Sequence, residues 1–103
     1  MRLILLAAAA TTALSVSAFA ADHAVAIKGF KFEPAQITIA KGDTVTFTNE
    51  DAAPHTATSL TAGVFDTGRL AKGESKTISF ADAGAFEFKC KFHPTMKGTV
   101  TAN

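Results

Sequence analysis

From His23 to Val100 the apolar residues of this chain recur in short runs of period two, and no segment beyond the first twenty residues sustains a helical period. Val25 and Ile27 share a parity, as do Phe30 and Phe32, Ile37 and Ile39, Val45 and Phe47, Ile78 and Phe80, then Phe86, Phe88 and Cys90. Val100 sits in a short closing run. Successive side chains of a strand point to opposite faces, so each run describes a strand with one face buried and one face wet. Between the runs stand turn formers: Glu33-Pro34, Lys41-Gly42-Asp43, Asn49-Glu50-Asp51, Thr67-Gly68, Lys72-Gly73-Glu74 and Ala83-Gly84. This spacing predicts about six to eight strands in two packed antiparallel sheets, an all-β sandwich with Greek-key links. Eight of the nine phenylalanines follow residue 20, and most fall on inward parities, so they are expected in the core.

The first twenty residues have a different character. MRLILLAAAATTALSVSAFA begins with Arg2, continues through Leu and Ala, and ends in Ala18-Phe19-Ala20. A positive start, an apolar middle and small residues at −3 and −1 predict a secretory signal peptide cleaved after Ala20. Residues 21–103 then form a single domain, expected in a bacterial periplasm and free of the membrane after cleavage. Of ten Lys+Arg one, Arg2, lies in the leader, which leaves nine to balance nine Asp+Glu. Without a basic excess the domain is not expected to bind nucleic acid. So short an exported domain often needs a disulfide or a metal to support its core, and one cysteine cannot close an internal disulfide.

That cysteine stands in FKCKFHPTMKG, with His93 three residues after Cys90 and Met96 three further on. A lone thiol could be a small buried hydrophobe, an intermolecular disulfide or a metal ligand. Cys90 ends a strand on its inward parity, so its sulfur is expected to face the interior. Three extended residues span at most about 10 Å, and Pro94 and Gly98 mark a loop that can bring His93 and Met96 back toward it. Thiolate, imidazole and thioether make a soft donor set that suits copper. Zinc would use the first two and gain little from the third. A trigonal site wants a second imidazole, and His55, in NEDAAPHTATS just past the run that ends in Phe47-Thr48, is the natural candidate.

DTVTFTNEDAAPHTAT, followed after a gap by FDTGRLAKGESKTISFADAGAFEFKCKFHPTMKGTV, resembles the cupredoxins, the small type 1 blue-copper proteins. The similarity covers roughly Ile27 to Thr101, and the Cys-x2-His-x2-Met spacing is that of the amicyanin branch. The resemblance implies one type 1 Cu(I)/Cu(II) ion. His55, Cys90 and His93 would form a trigonal plane around it, with Met96 as weak axial ligand. It also implies that Asn49 ties the two ligand loops together. Lys89, Lys91 and Phe92 depart from the amicyanin pattern around the cysteine, so amicyanin's amine-dehydrogenase partner is not carried over.

Three functions follow for comparison. The favoured one is an exported one-electron carrier, not an enzyme, working as a monomer with unidentified redox partners. The resemblance implies an apolar patch around His93, which Pro94, Phe92 and Ala53 would flank, with Lys89, Lys91 and Lys97 expected at its rim to steer an acidic partner. The alternative is a periplasmic copper-handling protein, for delivery, sequestration or tolerance, that uses the same ligands. An enzyme with Cys90 as nucleophile and His93 or His55 as base leaves Met96 without a role. A further candidate metal site is Ala21-Asp22-His23: a free amine, two amides and an imidazole could surround Cu(II) or Ni(II) in a square plane.

Overall fold

The computed structural model describes residues 19–103; the expected leader lies almost wholly outside the described residues. Eight strands follow one another: β1 (Asp22–Ile27), β2 (Phe32–Glu33), β3 (Gln36–Ile39), β4 (Thr44–Asn49), β5 (Thr58–Ser59), β6 (Ser75–Ser79), β7 (Gly84–Lys89) and β8 (Lys97–Ala102). They form two four-stranded sheets, ordered β2-β1-β4-β6 and β3-β8-β7-β5. No helix among the described residues is long and apolar enough to cross a membrane.

The sandwich agrees with the period-two reading, but the sheets are mixed rather than antiparallel. β1 runs parallel to β4, with Val25 opposite Phe47, and β3 runs parallel to β8, with Ile37 opposite Val100. Alternation reports only that one face of a strand is buried; it carries no information about the direction of its neighbour. Direction is decided by the crossing of the chain, which leaves β1 through β2, enters the second sheet as β3 and returns as β4. Such a detour supplies the long connection that parallel neighbours require.

Val25, Ile27, Val45 and Phe47 of one sheet meet Phe88 and Val100 of the other, all buried. Phe88 is the centre of this contact, edge-on to Phe32 at 4.7 Å and to Phe47 at 5.4 Å between ring centroids. Opposite Phe88 on β8 stands Gly98. A Cβ at that position would lie 2.4 Å from the Phe88 ring and 2.7 Å from the Ala35 carbonyl oxygen. The missing side chain is therefore what lets the ring lie across β8.

Phe30 does not share a strand with Phe32, contrary to their common parity, and it lies half exposed. Lys28 and Lys31 exchange both backbone hydrogen bonds, at 2.9 and 3.2 Å, so Gly29 and Phe30 form a two-residue hairpin loop between β1 and β2. Both have positive φ, 62° and 58°, as a type I′ turn demands. Phe30 is the one non-glycine residue with positive φ among the described residues. For a residue with a Cβ that conformation costs about 1–2 kcal/mol. Parity cannot foresee the turn, because it reaches the same side of the chain only through this loop. Phe92 is likewise half exposed, which agrees with its expected place in a surface patch.

Gly98→Ala is expected to destabilise the domain by about 2 kcal/mol, the order of overpacking a dense core when the obstructing atoms include backbone. A thermal unfolding midpoint lowered by roughly 8–16 °C would show it; an unchanged midpoint would mean that the Phe88 ring moves aside freely.

Candidate metal centre

One end of the sandwich collects the last residue of β4, the end of β7, the start of β8 and the β1–β2 turn. Cys90 follows β7 directly and is fully buried, in keeping with the inward parity of Phe88 before it. The loop beyond it turns back as the spacing requires. The Cys90 amide donates to the Met96 carbonyl at 3.1 Å, and the Met96 amide donates to the His93 carbonyl at 2.8 Å. This closed loop returns Met96 to the core, 5% exposed, while His93 stays partly accessible.

His55 arrives from the other side. It is fully buried, and its backbone exchanges hydrogen bonds with Leu70 at 3.1 and 2.8 Å. Its Nδ1 lies 3.7 Å from Cys90 Sγ, and His93 Nδ1 lies 3.8 Å from the same sulfur. All three donor atoms fall within 4.8 Å of one another, the one such group of His, Cys, Asp and Glu among the described residues. With metal–nitrogen bonds of about 2.0–2.1 Å and a metal–sulfur bond of about 2.3 Å in a trigonal plane, sulfur and nitrogen sit about 3.8 Å apart. The site fits a first-row ion. Two imidazoles and a thiolate, with a buried thioether on the same loop, are the donors that favour copper.

The far nitrogen of His55 is held as well. His55 Nε2 lies 2.9 Å from Asp51 Oδ2, so a neutral ring donates there and turns the lone pair of Nδ1 toward Cys90. The same carboxylate accepts the Gly29 amide at 2.8 Å and the Phe30 amide at 2.9 Å. The Phe30 amide leads the causes that hold the Asp51 carboxyl below the usual carboxylate range, with the Gly29 amide and His55 adding to it. Asp51 thus stays an anion at neutral pH, joining a ligand to the β1–β2 turn.

The tether between the two ligand loops is Thr56, not Asn49. The Thr56 amide donates to Cys90 Sγ at 3.4 Å, and its Oγ1 accepts the Lys91 amide at 2.9 Å. Asn49, fully buried, donates to the carbonyls of Ala53 and Leu70 at 2.9 and 2.8 Å and accepts the Asp51 amide at 2.9 Å. It organises the His55 loop and links it to Leu70, but none of its hydrogen bonds reaches the Cys90 loop. The Asn side chain closes a short-range turn because it ends a strand with the Asp51 amide and the Ala53 carbonyl only a few residues on.

Two further expectations change. Lys91 is not a free rim charge: its Nζ pairs with Asp66 Oδ2 at 2.7 Å. Ala21-Asp22-His23 runs extended into β1, where Asp22 and His23 pair with Thr44 and Val45. His23 Nε2 lies 2.9 Å from Asp43 Oδ2, and the Ala21 amide donates to Asp43 Oδ1 at 2.9 Å. A square-planar chelate would need the imidazole folded back onto the amine, and strand pairing opposes that. Sequence reasoning missed Asp51, Thr56 and Phe30. Only Asp51, four residues before His55, left a trace, and that spacing is too common in loops to single it out.

The fold and site together define a small all-β sandwich that presents a cysteine-centred, soft-donor metal site at one end. Residues 2–102 match the family model described as a cupredoxin-like domain. The chain is 34% identical over 87 residues to amicyanin of Paracoccus denitrificans, a match covering 78% of this chain and 66% of that protein. With amicyanin-alpha of Methylorubrum extorquens it shares 31% identity over 107 residues, covering 93% of this chain and 90% of the relative. The chain spans just under two thirds of the length of amicyanins from two Paracoccus species, 66% and 61%. Among solved structures, the purple cupredoxin of Nitrosopumilus maritimus superposes with a TM-score of 0.73 at 26% identity, covering 79% of this chain and 99% of its own. The chain belongs to the cupredoxin-like family.

Replacing Asp51 by Ala is expected to lower copper affinity about 10- to 100-fold, as loss of an outer hydrogen-bond partner of a ligating imidazole typically does. Competition against a chromogenic chelator measures it, and an unchanged affinity would show that Asp51 does not orient His55.

Proposed function

We propose that this protein is an exported one-electron carrier that holds a single type 1 copper ion through His55, Cys90, His93 and Met96. The observation that carries the reading is the convergence of both Nδ1 atoms on Cys90 Sγ at 3.7 and 3.8 Å. When bound, copper supplies a Cu(I)/Cu(II) couple. The chain's own residues do the rest: Asp51 holds His55, and Thr56 holds both the Cys90 sulfur and the following amide. Little can shift when the charge of the ion changes. Such restraint keeps reorganisation small, which favours electron transfer over metal release, and His93, the partly accessible ligand, is the point where electrons would pass.

A copper-handling protein would use the same donors but gains nothing from so many tethers. The test is an optical spectrum of copper-loaded protein comprising residues 21–103. An intense blue thiolate-to-copper band, lost in Cys90→Ser, is expected; a colourless or readily stripped complex would favour handling.

An acidic redox partner is supported by the charges beside the site. Lys89 and Lys97 stand directly opposite each other on β7 and β8, and neither forms an ion pair among the described residues. Like charges facing across a ladder oppose folding, so their gain would lie outside the monomer, in steering an anionic surface. Lys89→Glu with Lys97→Glu is expected to slow reduction by the physiological donor at low ionic strength and to matter little at high salt. Equal rates at low salt would remove the steering role.

A further inference from the structure

The least economical of the described residues is Phe30. It places an aromatic side chain half in water, in a turn conformation that glycine adopts without strain, at the second position of a two-residue hairpin where Gly is the common choice. An outlier of this kind persists only where its surroundings hold it, and such outliers gather at functional sites. Here the holding group is identifiable. The Asp51 carboxylate accepts the Gly29 amide at Oδ1 and the Phe30 amide at Oδ2, and the same Oδ2 contacts His55 Nε2.

The ring that results is aimed at the metal centre. Its centroid lies 4.9 Å from that of His55, at an interplanar angle of 87°, and 4.9 Å from that of His93, at 84°. The two imidazoles are themselves 5.2 Å apart. Phe30 therefore covers the cleft between the two nitrogen ligands from the solvent side, edge-on to both. His55 is fully buried although its loop is at the surface. Phe92 is equally exposed and sits in the Cys90 loop itself, yet it makes no ring contact with either histidine. The strained residue, not the neighbouring one, is in position to act as a cover.

We propose that Phe30 is a positioning and shielding residue for the metal centre: its ring closes the solvent side of the His55–His93 pair and keeps water and competing ligands from the bound ion. Asp51 latches the cover to the ligand it protects. The proposal rests on the copper-carrier reading for its purpose, but the shield itself is a property of the protein alone. A dry surrounding strengthens the retention of the ion and disfavours its more highly charged state, so it raises the reduction potential.

The turn geometry separates shielding from stability. Phe30→Gly removes the ring and also the backbone strain, producing the residue pair that a type I′ turn prefers. The protein comprising residues 21–103, the Phe30→Gly variant and the Phe30→Leu variant are compared in three measurements: thermal midpoint without metal, alkylation rate of Cys90 in the metal-free protein, and copper loss to a chelator with the reduction potential alongside. Phe30→Gly is expected to keep its midpoint within about 3 °C while Cys90 alkylation and copper loss each rise about tenfold and the potential falls. Phe30→Leu, which retains an apolar cover, is expected to stay within about threefold of the parent in both rates. Unchanged alkylation and copper loss in Phe30→Gly would overturn the proposal. So would a midpoint lowered by more than about 10 °C, because the ring would then serve the fold rather than the site. If the parent protein shows no blue copper band, the carrier reading fails while the alkylation result still decides the shield.

Discussion

The metal centre depends on the bridge that Thr56 makes between its two ligand loops. Its amide points at the Cys90 sulfur, and its hydroxyl takes the amide of Lys91. Through that one residue the loop leaving β4 and the loop joining β7 to β8 become a single unit. The connection continues outward: Thr56 Oγ1 meets Thr58 Oγ1 at 2.8 Å, Thr58 donates to Asp66 at 3.0 Å, and Asp66 pairs with the Lys91 side chain. Lys91 is thus held at its amide and at its ammonium by the same small network. The outer ion pair is exposed and worth little by itself. The buried contacts at Cys90 are the ones whose loss would leave polar groups without partners.

Placing the site at one end of a sandwich solves a conflict between rigidity and access. A soft ion needs donors that do not move and a surrounding low in water, whereas the proposed carrier role also needs a ligand near the surface. The packed core supplies the first condition: Cys90 and Met96 are buried in the same core cluster as Phe88. The second is met by His93, which remains partly accessible. Phe30 and Phe92 make the surrounding surface apolar, and Lys89 and Lys97 add charge near the Cys90 loop. Asp51 serves both conditions, since it orients the buried imidazole and secures the turn that carries Phe30.

The strands were legible because a strand with one wet face writes its burial directly into alternate positions. Val25, Ile27, Val45, Phe47, Phe88 and Val100 are all buried on the parities that the sequence displays. The candidate ligands were legible for a related reason: Cys90, His93 and Met96 lie within seven residues, and a chain with one cysteine and three histidines offers few other choices. Strand direction was not legible, since parallel and antiparallel neighbours bury the same face. Phe30 misled because parity assumes a continuous strand, and the turn at Gly29 breaks it. Asn49 misled because an asparagine at a strand end can close its own turn as readily as it can bridge to another loop.

By itself, then, the order of residues determined most of the side chains that face inward, most of the turns and which donors could serve a soft metal. These are local matters, settled by the alternation of a strand and by the chemistry of sulfur and imidazole. Only the tertiary structure decided that Thr56 rather than Asn49 joins the loops, that Asp66 holds Lys91, and that Phe30 covers two histidines far from it in the chain. Each of these is a contact between segments whose approach is fixed by the packing of two sheets. No pattern in one segment records the position of another.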